Sequence, residues 1–308
     1  MNISYQKHKD IDVSKWDDCI QHSFNSTVYA FSWYLDLFCG EWDALVEGDY
    51  HSVMPLLYKR VLGRYIIYTP ALIRELGVFS RQPVNADKTS QFLTAVPAHF
   101  NPYHILLNKY NPLLKDLPVY KKHVYFDLDL IRPYHKISGN FTVELRRKLN
   151  VAVARQLSYI RGVSPNDFVL FLQEHHIKTD RVIRDQNFRV LRSLMATLIR
   201  TSTGELWGVY NENNELASVA LIAFVNNRII LLFHADDPYQ SGDYPHLFLI
   251  DRIIDRYAET NSILSLEYSS DVNHRELYMN FGAREVTLVE VTSGKTPFYL
   301  KPFLRRLK

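Results

Sequence analysis

The sequence predicts an α/β protein of two consecutive units, residues 1–139 and 140–308, each a mixed sheet flanked by helices. Three observations predict it. The first is an internal echo. Trp42-Asp-Ala-Leu-Val leads through a turn to Ser52-Val-Met-Pro-Leu-Leu and on to Arg64-Tyr-Ile-Ile-Tyr. Trp207-Gly-Val-Tyr leads in the same way to Ser218-Val-Ala-Leu-Ile and on to Arg228-Ile-Ile-Leu-Leu. The Trp-to-Ser spacings are 10 and 11 residues, and the Ser-to-Arg spacings 12 and 10. A helix pair precedes each meander, so two copies of one helix–helix–strand–strand–strand module explain the pattern; the alternative is chance likeness of two amphipathic hairpins. The second is the mixture of helix and strand signals along the whole chain. The third is composition: 308 residues, 47% apolar and 22% charged, supply core material for two domains of ordinary size.

The elements follow in order. Trp16 to Ser23 and Phe31 to Cys39 read as short helices. Strands follow at Trp42 to Val46, Ser52 to Lys59 and Arg64 to Tyr68, with turns at Gly48-Asp49 and Gly63. Asn85 is a candidate N-cap for a helix over Ala86 to Val96. His104 to Leu107 and His123 to Leu128 read as strands, and a long polar helix runs from Asn140 to Arg155. Tyr159 to Arg161 is a strand, and Ser164-Pro165-Asn166 opens a helix with proline at a tolerated first-turn position. A helix over Asp185 to Thr201 precedes the second meander, whose strands are Glu205 to Tyr210, Leu216 to Phe224 and Arg228 to His234. Helix Tyr244 to Ala258, strand Ile263 to Glu267, helix Asp271 to Phe281 and strand Glu285 to Val291 complete the chain.

Composition excludes several functions. A net charge of +3 gives no global field for nucleic acid or a membrane surface. The 20 Tyr and 17 Phe fill a core, or line an aromatic pocket. Cys19 and Cys39 lack metal or redox spacing and are expected as free thiols in a reducing compartment. No apolar run reaches the roughly 18 residues of a membrane span. The N-terminus also lacks the apolar centre of a signal peptide, so the expected location is the cytoplasm. The 11 glycines form neither a dinucleotide fingerprint nor a P-loop, and no G-x-S-x-G elbow occurs. The 12 histidines include no i, i+4 pair, so no metal is expected.

Two C-terminal segments carry chemistry. Strand Arg228–His234 runs into the polar loop Ala235–Pro245 and then a helix, which brings backbone N–H groups and a positive helix end to the loop. That is an anion site in principle; the alternative is a helix start capped by Asp243. Downstream, Ile263–Ala283 reads as a buried strand, a polar corner, a short helix bearing a tyrosine, then Phe281-Gly282-Ala283. Ser269, Ser270 and Asp271 can cap that helix, and Gly282 stands where a left-handed C-terminal residue is expected. Leu277 and Phe281 are expected to pack inward, with His274 and Tyr278 on an adjacent face. A tyrosine there is a core or rim residue, or a proton donor.

Leu277-Tyr278-Met279-Asn280-Phe281-Gly282, together with the element order, resembles the GNAT superfamily of N-acyltransferases. Glu267-Tyr268-Ser269-Ser270, Phe281-Gly282 and the repeat resemble its Fem-type peptidoglycan-bridge branch, which carries tandem GNAT-like domains. The resemblance implies two tandem GNAT-like domains, the second bearing the active site. It implies transfer of an acyl or aminoacyl group from acyl-CoA or aminoacyl-tRNA to an amine acceptor such as a cell-wall precursor. Tyr278 would protonate the leaving group, and Glu267 or His274 would be the base or orient the amine. Gln240, Ser241, Gly242, Asp243 and Tyr244 would face the donor, in a loop whose glycine spacing differs from the usual [R/Q]-x-x-G-x-[G/A]. The Fem-type branch commonly carries a lysine where Tyr278 stands. Between Glu144 and Arg200 eleven Lys or Arg accompany five acids. They form a solvated helical face, or a track for CoA phosphates, tRNA or a lipid carrier. The alternative to an enzyme is a non-catalytic binding protein that keeps the fold with a decayed donor site.

Overall fold

The computed structural model describes residues 2–70, 72–100, 103–114, 119–175, 185–266 and 272–293. In chain order the elements are β1 (Ile3–Gln6), α1 (Val13–His22), α2 (Ser32–Cys39), β2 (Trp42–Glu47), β3 (Ser52–Val61), β4 (Arg64–Ile67), β5 (Phe79–Ser80), α3 (Ala86–Thr94), β6 (His104–Leu107) and β7 (Val119–Asp129). They continue as α4 (Tyr134–Ser138), α5 (Val143–Ala154), β8 (Ser158–Arg161), α6 (Pro165–Glu174), α7 (Asp185–Arg200), β9 (Gly204–Tyr210), β10 (Leu216–Val225), β11 (Arg228–Asp236), α8 (Pro245–Tyr257), β12 (Ile263–Leu266), α9 (Val272–Asn280) and β13 (Arg284–Thr292). The chain forms two compact units, one of residues 1–124 with 287–308, the other of residues 125–286.

In the first unit β2, β3 and β4 form the expected antiparallel meander, with β1 on β2 and β5 on β3. Residues 289–292 of β13 pair antiparallel with β6. Leu45, Met54, Leu56, Phe92, Phe100 and Val291 lie in one apolar cluster. Asn85 caps α3, accepting from the Lys88 N–H. Gly77 takes a left-handed φ of +100° because an added Cβ would stand 2.0 Å from Asn111 Oδ1. That oxygen accepts the Val78 N–H at 2.7 Å, while the Asn111 amide donates to the Val78 carbonyl at 2.9 Å.

In the second unit β9, β10 and β11 form the matching meander, and β8 lies antiparallel on β9. Beyond β11 lies β12, parallel to it, and then residues 126–129 of β7, antiparallel to β12. The helices start where their caps dictate. Thr142 accepts the Leu145 N–H and begins α5; Ser164 accepts the Asp167 N–H and begins α6, with Pro165 in its first turn. The single helix expected over Asn140–Arg155 is therefore shorter, because Gly139 and the Thr142 cap separate it from the short α4. Phe168, Leu172, Leu198, Leu221, Ile253 and Ile254 are buried here. No helix among the described residues is long and apolar enough to cross a membrane.

Candidate functional site

The site region of the second unit is built on the parallel pair β11 and β12. Among the described residues they pair over Arg228–Ile230 and Ile263–Ser265, and β11 then runs on to Asp236 beside β10. The β10–β11 register shifts so that Leu221 faces Phe233 and Ile222 faces Leu231. Leu232 is thus the extra residue of a β-bulge against β10, which bends β11.

β11 leads into a 3₁₀ turn, Pro238–Asp243, that holds Gln240, Ser241, Gly242 and Asp243. Asp237 organises the turn. It is 5% exposed, and its Oδ1 accepts the Tyr239 N–H at 2.9 Å while its Oδ2 accepts the Gln240 amide at 2.7 Å. Gln240 Oε1 in turn accepts from Asn211 at 3.1 Å. Tyr244 stands at the start of α8 in the left-handed conformation, φ 56° and ψ 44°, and gives α8 no side-chain cap. Asp243 is not that cap either. Its carboxylate meets Arg155 Nε at 3.1 Å, and Lys148 Nζ lies 5.6 Å from the centre of the Tyr244 ring. Part of the basic stretch thus serves this acidic loop: α5 and its C-cap Arg155 supply two cations to it, while Arg161 pairs with Glu205 at 3.5 Å. Lys148 also pairs with Glu144 at 2.7 Å.

α9 places Tyr278 in the interior at 1% exposure, its ring 5.5 Å from that of Phe126. Phe281 is fully buried against Phe141 at 5.1 Å, and Gly282 takes the left-handed φ of +79° that ends the helix. Leu277 is only half-buried, so the inward face of α9 is Tyr278 with Phe281, one position round from the expected pairing of Leu277 with Phe281. His274 lies on α9 four residues before Tyr278, and its side chain is outside what is described. Glu267 and the cap candidates Ser269, Ser270 and Asp271 lie outside the described residues.

Sequence reasoning missed the cleft on the other side of Asp237. It has a volume of about 620 Å³ and is walled by Asp167, Leu170, Phe171, Glu174 and His175 of α6 and its C-cap. Tyr210, Glu215, Leu216, Asp237 and Gln240 complete the wall. His175 Nδ1 lies 3.1 Å from Asp237 Oδ1, and the imidazole sits 4.5 Å from the Phe171 ring. The signal was present as His175 ending an amphipathic helix, but its carboxylate partner is 62 positions away. Among the described residues no group of three or more His, Cys, Asp or Glu is placed to hold a metal.

No protein-family profile matches the chain, and comparison with curated proteins finds no relative. Solved structures do match. FemX superposes with a TM-score of 0.65 at 12% identity, over 94% of this chain and 97% of its own. The C-terminal domain of a candidate lysylphosphatidylglycerol synthetase from Agrobacterium fabrum gives 0.57 at 12% identity, over 92% of each chain. L-PGS from Bacillus licheniformis gives 0.57 at 10% identity, over 96% of each. At such identities the likeness is one of fold, and it spans nearly the whole of each chain: this protein has the GNAT-like, Fem-type α/β fold.

Proposed function

We propose that the protein is an N-acyltransferase that moves an acyl or aminoacyl group from a tRNA- or CoA-type donor to an amine acceptor. The observation that supports it most is the likeness of fold to FemX over 94% of this chain, with the Leu232 bulge of β11 shortly before the loop that leads to α8. In a Fem-type fold, a donor's acyl group would lie beside this strand. The uncapped start of α8 supports the same reading, since N–H groups in the first turn of a helix have no partner within it and favour an anion. Gln240, Ser241, Gly242, Asp243 and Tyr244 would face the donor, with Lys148 and Arg155 offsetting the loop's negative charge. Tyr278 would protonate the leaving group from its interior position on α9, and Glu267 or His274 would orient the amine. Among donors, the aminoacyl class is favoured, because the A. fabrum neighbour is described by an aminoacyl product, lysylphosphatidylglycerol. A cell-wall precursor is the acceptor that the Fem-type likeness suggests.

The test is a transfer assay with charged tRNA pools and acyl-CoAs as donors and amine-bearing cell-wall precursors as acceptors, beside thermal unfolding with each donor. Ligand at 100 times Kd stabilises the native state by about 2.7 kcal/mol, a readable rise in melting temperature. Transfer from charged tRNA supports the aminoacyl reading, and transfer from acyl-CoA alone replaces it with the acyl reading. Silence with every donor, in both assays, refutes the enzyme and leaves a binding protein that keeps the fold.

A further inference from the structure

The 620 Å³ cleft holds a second set of reactive groups, on α6 and the loop that follows β11. His175 and Asp237 are joined at 3.1 Å through Nδ1 and Oδ1. Asp237 is buried, and the Tyr239 N–H and the Gln240 amide hold its two oxygens in place. A carboxylate fixed on Nδ1 keeps the proton on that nitrogen and leaves Nε2 with its lone pair. The Phe171 ring at 4.5 Å limits rotation of the imidazole from the other side. The imidazole lines the cleft. A bonded, oriented histidine on the wall of an open cleft is the arrangement of a general base.

We propose that this cleft binds the amine acceptor, presented as an ammonium group, and that His175 Nε2 takes its proton, with Asp237 as the positioning residue. The assignment rests on the acyltransferase reading for its chemistry. The step balances as follows. The ammonium gives one proton to Nε2 and becomes a nucleophile. Its lone pair forms a C–N bond to the acyl carbon, and the bond from that carbon to the donor's oxygen or sulfur breaks. Tyr278 gives its proton to the leaving oxygen or sulfur and is restored by the second nitrogen proton, and the proton on His175 passes to solvent. The other titratable groups that line the cleft are Asp167 and Glu174 of α6, Tyr210 of β9, Glu215 of the following turn, and Asp237. The carboxylates suit a cation, and the apolar wall of Leu170 and Leu216 suits its carbon stem.

Two measurements test it on the full chain. In long-range proton–nitrogen NMR spectra, His175, assigned by its loss in His175→Gln, is expected as the Nδ1-protonated tautomer. Lysinamide, used as the amine probe, should shift its Nε2 signal. Asp237→Ala should mix the tautomers; thermal unfolding of that variant, beside His175→Gln, separates loss of the bond from loss of the turn. In the transfer assay His175→Gln should lower kcat by about 100-fold or more with KM within about threefold, and should erase the rise of rate with pH that neutral imidazole confers. An Nε2-protonated tautomer, or no shift with lysinamide, overturns the proposal. Wild-type kcat and pH profile in His175→Gln overturn it too, while leaving the acyltransferase reading intact. The expected tautomer and shift without transfer from any donor retain the amine site and overturn the acyltransferase reading.

Discussion

Replacing Tyr278 by phenylalanine separates packing from chemistry at the tyrosine proposed as proton donor. The side chain is 1% exposed, and its ring packs 5.5 Å from Phe126. Phenylalanine keeps that ring and removes only the hydroxyl. One hydrogen bond contributes about 0.5–1.5 kcal/mol net, so Tyr278→Phe should lose no more than about 1.5 kcal/mol of stability. Tyr278→Ala removes the ring as well, and truncating a buried aromatic costs about 3–5 kcal/mol. A general acid contributes about 10²–10⁴ in rate, which is about 2.7–5.4 kcal/mol at 1.36 kcal/mol per decade. If Tyr278 is the proton donor, the phenylalanine variant therefore loses more from its transition state than from its fold. Single-turnover transfer measures the first quantity and urea unfolding the second. A Tyr278→Phe protein that turns over within twofold of wild type refutes the proton-donor role. One that loses more than about 3 kcal/mol of stability refutes the packing argument, because the hydroxyl would then matter beyond a single bond.

Three further outcomes follow from the structure. Gly77→Ala places a Cβ where Asn111 Oδ1 stands and demands a left-handed backbone, which costs about 1–2 kcal/mol, besides a disturbed buried amide pair at about 1–3 kcal/mol. Urea titration should show a loss of at least about 2 kcal/mol, and an unchanged midpoint would contradict the close approach. In the first unit, burial works against the Glu47 carboxylate, but hydrogen bonds from Lys88 and Ser52 outweigh it and hold its pKa below the usual value. A depressed carboxylate stabilises the fold above its unfolded pKa and loses that contribution as pH falls through the folded value. Stability should thus decline below about pH 4.3 in wild type, and Lys88→Ala, which strands the carboxylate, should cost about 3–5 kcal/mol near neutrality by calorimetry. Burial pushes the thiol of Cys19 up to about 11 and that of Cys39 up to about 12. Native protein at pH 8 should react with iodoacetamide far more slowly than urea-unfolded protein, and equal rates would place these thiols in water.

The fold was legible wherever one local signal decided an element. Asn85, Thr142 and Ser164 each accept a backbone N–H at a helix start, and Gly282 ends α9 at a left-handed φ. Asn85, Ser164 and Gly282 were readable without partners because a cap and a left-handed glycine act within one turn. The two three-strand meanders form where the Trp–Ser–Arg echo placed them. Short β1 and β5 were missed, since four and two residues carry no period that stands out. The inward face of α9 was misjudged by one position, because with Tyr278 and Leu277 adjacent either can face the core until the neighbouring Phe126 is known.

By itself the sequence determined the α/β class, the two three-strand meanders and the caps at Asn85 and Ser164, all of which arise from residues close along the chain. It also located the loop after β11 and the tyrosine of α9. Tertiary structure alone decided what these segments meet. It gave Asp243 to Arg155 rather than to the start of α8, and it set β12 parallel to β11 with Ile230 opposite Ser265. It joined His175 to an aspartate 62 positions along the chain. Ion pairs, strand registers and clefts depend on distances between segments remote in sequence, and no local period or motif encodes those distances.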